Sequence, residues 1–175
     1  MTMLRYAELD PHTTIPDSVD FNEQIVPMLV RTWLDDYDCR TPRNDIVTVS
    51  GHGFSHLFDI ASGRLIAAWG VSQGRASHER DAKRMARHPN SYGPVVHRGH
   101  AIPHRLGGGL DINLVPQLGT VNIGPFRTLE IEATRSPGSL YFTYWKYSGN
   151  SQRPVGVEQG LLIPGQRPRL NAHAN

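Results

Sequence analysis

The chain has 175 residues, 38% of them hydrophobic and 19% charged, and carries a formal net charge of +2. That length supports one compact domain with its own core, and the composition excludes a disordered or collagen-like chain. No run approaches the roughly 18 apolar residues of a membrane-spanning helix. A single cysteine, Cys39, excludes an intrachain disulfide and a cysteine-rich zinc site.

Residues 1–16 read as irregular, with Pro11 and Pro16 interrupting any period. From Phe21 onward, Phe21, Ile25, Met28, Leu29 and Trp33 follow helical spacing. Pro27 falls inside that run, so the helix is expected from about residue 27 to residue 36. Asp35, Asp36 and Asp38 crowd its C-terminal end, where the helix dipole disfavours negative charge. Either the helix stops early or something basic covers them. Residues 41–45 read as a linker. Short strands are expected over 46–50, 56–60 and 64–71, the last two flanking a hairpin turn at Ala61-Ser62-Gly63. A polar surface helix is expected over 77–88 with Ser77 as its N-cap, then a strand over 93–98. Beyond a loop rich in glycine and proline, a helix is expected over 123–135, where Pro125 is tolerable only in the first turn. Residues 139–147 alternate as a strand; Tyr141, Tyr144, Trp145 and Tyr147 in it are candidates either for core or for stacking on bases. A last hairpin is expected from 154–158 and 161–163 around Gln159-Gly160, followed by a mobile tail over 164–175. The pattern is α+β with a mainly antiparallel sheet and a few helices.

The small net charge conceals a division. Residues 1–59 hold ten acids against four arginines, a balance of −6, whereas 60–175 hold fourteen bases against six acids, a balance of +8. The basic part suits a polyanionic partner such as nucleic acid, and equally an ordinary solvated surface. The opening MTMLRYAELDPH lacks the basic-then-apolar pattern of a secretion signal. Cytoplasmic synthesis is therefore expected, and it is compatible with export by a dedicated machine.

The densest chemical signal runs from His97 to Glu130. His97, His100 and His104 fall within eight residues, at a spacing that would share one helical face and bind zinc. Gly99 and Pro103 argue against that helix. Gly107-Gly108-Gly109 could cradle a phosphate, but no Lys-Ser/Thr follows, and a tight turn explains it better.

The ordered set Arg98-Gly99-His100, Leu106-Gly107-Gly108, Asn113-Leu114-Val115-Pro116-Gln117, Asn122 and Leu129-Glu130 resembles the DNA/RNA non-specific endonucleases. These are ββα-metal (His-Me finger) enzymes of the endonuclease G type. The resemblance covers roughly residues 46–163, with its specific core in 95–130. It implies a ββα-metal active-site motif and metal-dependent hydrolysis of phosphodiester bonds in DNA, and in RNA as a second substrate. His100 would be the general base, a task suited to a side chain that titrates near neutrality. Asn122 would ligate one Mg²⁺, with Mn²⁺ as a substitute, and Glu130 would hold the metal's waters and complete the catalytic set with Arg98. Arg75, Arg98, Arg127 and Arg135 are the candidates for gripping substrate phosphates. Antibacterial toxins belong to the family, so an inhibitor or immunity protein is an expected partner besides nucleic acid, and no membrane is.

Two departures stand out. The family usually has Asp-Arg-Gly-His, and His97 replaces the Asp, removing a plausible orienting carboxylate. Pro125 lies between Asn122 and Glu130 and forces the expected helix to start late. The alternative reading is accordingly a catalytically degenerate nuclease fold that binds nucleic acid or protein. The expected organisation is an acidic N-terminal helical segment over 1–45, a nuclease-like domain over 46–163 and a tail over 164–175. Two roles are open for the acidic segment: a cover over the basic groove, or a helix packed on the sheet's other face.

Overall fold

The computed structural model describes residues 2–41, 44–76, 89–109 and 111–175, and the helix expected over 77–88 lies outside them. A five-residue π-helical turn, Phe21–Ile25, capped by Asp20, leads into α1 (Val26–Arg40), with Pro27 in the first turn where a missing amide costs nothing. Leu29, Trp33 and Tyr37 recur every four residues and face inward. The helix runs past Asp36 because that carboxylate is compensated. Arg40 grips Asp36 with Nε and Nη2, both at 3.0 Å, and the Tyr144 hydroxyl donates to the same carboxylate at 2.6 Å.

The strands are β1 (Ile46–Gly51), β2 (Phe54–Asp59), β3 (Arg64–Val71), β4 (Val96–His100), β5 (Leu114–Leu118), β6 (Leu140–Lys146), β7 (Gly156–Leu162) and β8 (Arg169–Ala174). Six form one antiparallel sheet in the order β1-β2-β3-β6-β7-β8, and β4 pairs with β5 in a separate two-stranded sheet. The fold is therefore α+β with a mainly antiparallel sheet. The hairpin expected at 61–63 joins β2 to β3, with Gly63 at φ +64°. Two short helices follow β5, α2 (Gly119–Ile123) and α3 (Phe126–Arg135).

Both faces of the central strands are covered. On one, Trp33 of α1 packs against Trp69, Phe142 and Tyr144 at ring separations of 5.4–6.1 Å. On the other, Phe126 of α3 packs against Trp145 at 5.9 Å, and Gln159 Nε2 donates at 2.8 Å both to the Phe126 carbonyl and to the Tyr141 hydroxyl. Tyr141, Tyr144, Trp145 and Tyr147 are thus all core, none more than 2% exposed, and stacking on bases is not their role.

Three expectations are corrected. The Gln159-Gly160 pair lies in the middle of β7 and not in a turn. Gly160 is needed because a Cβ there would collide with the Phe142 ring, a close approach that in sequence looks like a breaker. Residues 169–174, expected within a tail, form β8, hydrogen-bonded along β7 and tied to α3 by the Arg169–Glu132 ion pair. The helix expected over 123–135 is divided at Gly124-Pro125, so Asn122 stands inside α2 and not at the start of α3. The acidic segment packs on the α1 face of the sheet: Tyr6, Leu9 and Ile15 belong to the same core cluster as Trp33 and Phe142.

Candidate active site

The two-stranded sheet and the helices after it form the frame. His100 ends β4 opposite Leu114 of β5, and β5 passes directly into α2. Between the strands, the loop is folded back by one side chain. Asn113 Oδ1 accepts from the Ile102 amide at 2.8 Å, and its Nδ2 donates to the carbonyls of Ile102 at 2.8 Å and Gly109 at 2.9 Å. His56 closes the network, its Nε2 lying 3.3 Å from Asn113 Oδ1. Gly107 supplies a left-handed turn at φ +93°, and a Cβ on Gly108 would collide with the Ile102 carbonyl. The glycine run is a turn element, as its context indicates.

This folding brings His100, Pro103, His104, Arg105, Asn122, Ile123, Arg127 and Glu130 around one cavity of about 220 Å³. They come from β4, the short 3₁₀ turn His104–Leu106, α2 and α3. Arg127 and Glu130 are three apart on α3 and so share a face. Burial pushes the Glu130 carboxyl up to about 7, and the nearby guanidinium groups of Arg127 and Arg105 offset only part of that.

The remaining candidates fall elsewhere. Arg98 donates from Nε to the Pro89 carbonyl at 3.2 Å and is not among the cavity's lining residues. Arg75 is exposed in a separate hollow of about 280 Å³ with His52, Gln73 and Leu106; the Ala76 amide, bonded to the Arg105 carbonyl at 2.8 Å, links the two walls. Arg135 is exposed beside Thr128 and Ile131, in a third hollow on α3. Of the four arginines proposed for substrate, the structure brings only Arg127 into the cavity. His97 is exposed, and a Cβ on Gly119 would lie 2.7 Å from its ring. Strand alternation puts it on the face opposite His100, so the three histidines do not converge.

His104 and Arg105 are the residues whose place sequence reasoning missed. Their nearness to His100 was visible, but their direction depends on the Asn113 clamp and the Gly107 turn. The rings of His100 and His104 stand edge to face with centroids 6.3 Å apart. No protein-family model matches the chain, and no curated protein matches it. Among the described residues, no three His, Cys, Asp or Glu side chains are grouped to hold a metal ion. The donor set in the cavity is of another kind: an asparagine amide oxygen and a carboxyl, both hard oxygen donors, with room for water. That set fits Mg²⁺, which takes few protein ligands and keeps several waters.

Proposed function

We propose that the protein is a metal-dependent, non-specific endonuclease that hydrolyses phosphodiester bonds in DNA, and in RNA as a second substrate. In this reading β4, β5 and the helices after them form a ββα-metal motif. The observation that carries it is the convergence on one cavity of His100, Asn122, Glu130 and two arginines, side chains contributed by four separate elements.

Five of the lining residues have work to do in such a reaction. Asn122 would hold Mg²⁺, with Glu130 fixing its waters; when bound, the ion neutralises phosphate charge and favours the departure of the leaving oxygen. Arg105 and Arg127 offer planar donor forks to the non-bridging phosphate oxygens. His100 Nε2 or Nδ1 accepts the proton of the attacking water, a contribution of typically ~10²–10⁴-fold. His97 does not face His100, so its replacement of the family's Asp takes no group out of the cavity itself.

Plasmid nicking with Mg²⁺, Mn²⁺ or Ca²⁺, and with EDTA, tests the reading. The expected result is cleavage by the wild type that EDTA abolishes and that His100→Ala or Asn122→Ala lowers by about 10²-fold or more. Intact plasmid, linear DNA and RNA across pH 6–9 with every ion would defeat it. Salt-sensitive DNA binding without cleavage would then select the binding-module alternative.

A further inference from the structure

We propose that His104 is a positioning residue for His100, its ring fixing the direction of the His100 imidazole by edge-to-face contact; this rests on the nuclease reading above. A general base works only when its nitrogen comes within about 2.6–3.2 Å of the group whose proton it accepts. The backbone does not settle that for His100. It is the last residue of β4 and half-buried, and the strand sets only the direction in which its side chain leaves the chain. Two further torsions decide where the ring points. His97 does not restrain them, because its ring lies over Gly119 on the other face of β4. Opposite His100 in register stands the buried Leu114, which offers bulk but no polar group.

His104 meets the ring itself. The two imidazoles stand edge to face, with centroids 6.3 Å apart and planes at 79°. Aromatic pairs favour that arrangement at centroid separations of about 4.5–7 Å. The contact is directional, since turning the His100 ring separates the edge of one imidazole from the face of the other. Both residues line the cavity, so the ring held in this way is the one placed for chemistry.

A side chain orients a neighbour only if its own backbone is held, and that of His104 is. On its N-terminal side, the Asn113 side chain bonds both the amide and the carbonyl of Ile102 at 2.8 Å. On its C-terminal side, the amides of Leu106 and Gly108 reach the Pro103 carbonyl at 2.9 and 3.1 Å, and the Gly107 amide reaches the His104 carbonyl at 3.0 Å. The Ala76 amide holds the Arg105 carbonyl at 2.8 Å, and Leu106 anchors the turn in the core. What this contact uses is the aromatic ring of His104 and not its nitrogens. A phenyl ring should therefore replace it.

The test compares His104→Ala, His104→Gln and His104→Phe on one oligonucleotide substrate with the same metal ion throughout. Ala and Gln should lower kcat by about 10-fold with little change in KM, and Phe should restore it to within about threefold of wild type. Thermal unfolding checks the fold, and the comparison of Gln with Phe carries the measurement if Ala does not fold. A Phe variant as slow as Ala or Gln, or an Ala or Gln variant as fast as wild type, overturns the assignment and leaves the nuclease reading standing. A second readout is independent of activity. NMR of histidine-labelled protein should show contact between the two rings in the wild type. It should show one χ1 rotamer for His100 in the wild type and the Phe variant, and rotamer averaging in Ala and Gln. A His100 rotamer that stays single without a ring at position 104 overturns the assignment as well. A wild type that cleaves nothing removes the nuclease reading itself, and the rotamer measurement still decides what His104 does to His100.

Discussion

Asn113 carries more of the site than its distance from the chemistry suggests. Its amide satisfies the Ile102 amide and the carbonyls of Ile102 and Gly109 in a buried position only 1% exposed. Truncation would strand those groups away from water, at roughly 1–3 kcal/mol for each one left unpaired. Asn113→Ala should therefore lower stability by about 3–5 kcal/mol. It should lower nuclease activity further than the melting temperature alone explains, because the loop it folds back carries His104 and Arg105. Asn113→Asp keeps the acceptor for Ile102 but turns a carboxylate oxygen toward the carbonyls of Ile102 and Gly109, and should be no more stable than Ala near neutral pH. Thermal unfolding alongside nicking rates checks both; full activity in a folded Ala variant would show that the loop holds its shape without the clamp.

At the scale of elements, the β2–β3 turn is fixed by the buried Asp59. Its carboxylate accepts from the amides of Asp45 and Ala61, both at 3.0 Å, from Tyr37 of α1 at 2.8 Å and from Ser62 at 2.5 Å. Burial alone would raise its pKa, but these hydrogen bonds outweigh it and hold the carboxyl below the usual 3.8. A depressed folded pKa means that the stabilisation is fully present above about 3.8 and is lost as pH falls through the lower folded value. Asp59→Asn should thus cost about 3 kcal/mol near neutrality, roughly 6–12 °C in Tm, with the gap from wild type closing as the pH falls below the usual carboxylate range. A gap that does not change with pH would assign the turn's stability to shape and not to charge.

The same elements show which parts of the fold the sequence made legible. The four-residue recurrence of Leu29, Trp33 and Tyr37, and the β-branched and aromatic run of β6, carry their structure in their side chains. The Gln159-Gly160 pair does not, because a glycine required by the Phe142 ring has the same composition as a turn. Residues 169–174 have too few apolar side chains to announce β8; pairing with β7 makes the strand. At the site, the ordered motif singled out His100, Asn122 and Glu130, which the fold gathers with Arg127, and Arg98, which it leaves outside the cavity. It gave no direction for His104, Arg105, Arg75 or Arg135, since that depends on a left-handed glycine, a side-chain clamp and the face of a divided helix.

The whole molecule turns on how its acidic beginning joins its basic remainder. Glu158 of β7, 1% exposed, accepts from the Leu4 amide at 2.7 Å and from the Tyr6 hydroxyl at 2.5 Å, and pairs with Lys146 of β6 at 2.5 Å. Lys146 in turn donates to the Thr2 carbonyl at 2.7 Å, and Trp33 donates to the Tyr6 hydroxyl at 3.2 Å. The N-terminal residues therefore satisfy a buried charge pair and cover Phe142, on the face of the sheet away from the cavity. Such a segment is part of the core and not a removable cover. Glu158→Gln, which leaves Lys146 buried without its counter-charge, should destabilise by about 3–5 kcal/mol. Deleting residues 1–20 removes Tyr6, Leu9 and Ile15 from the core as well and should abolish cooperative unfolding, read by near-UV circular dichroism and calorimetry. A truncated chain that unfolds cooperatively and nicks DNA faster than the intact protein would instead show that the acidic segment restrains the basic groove. The fold predicts the opposite, because what those residues touch is the back of the sheet.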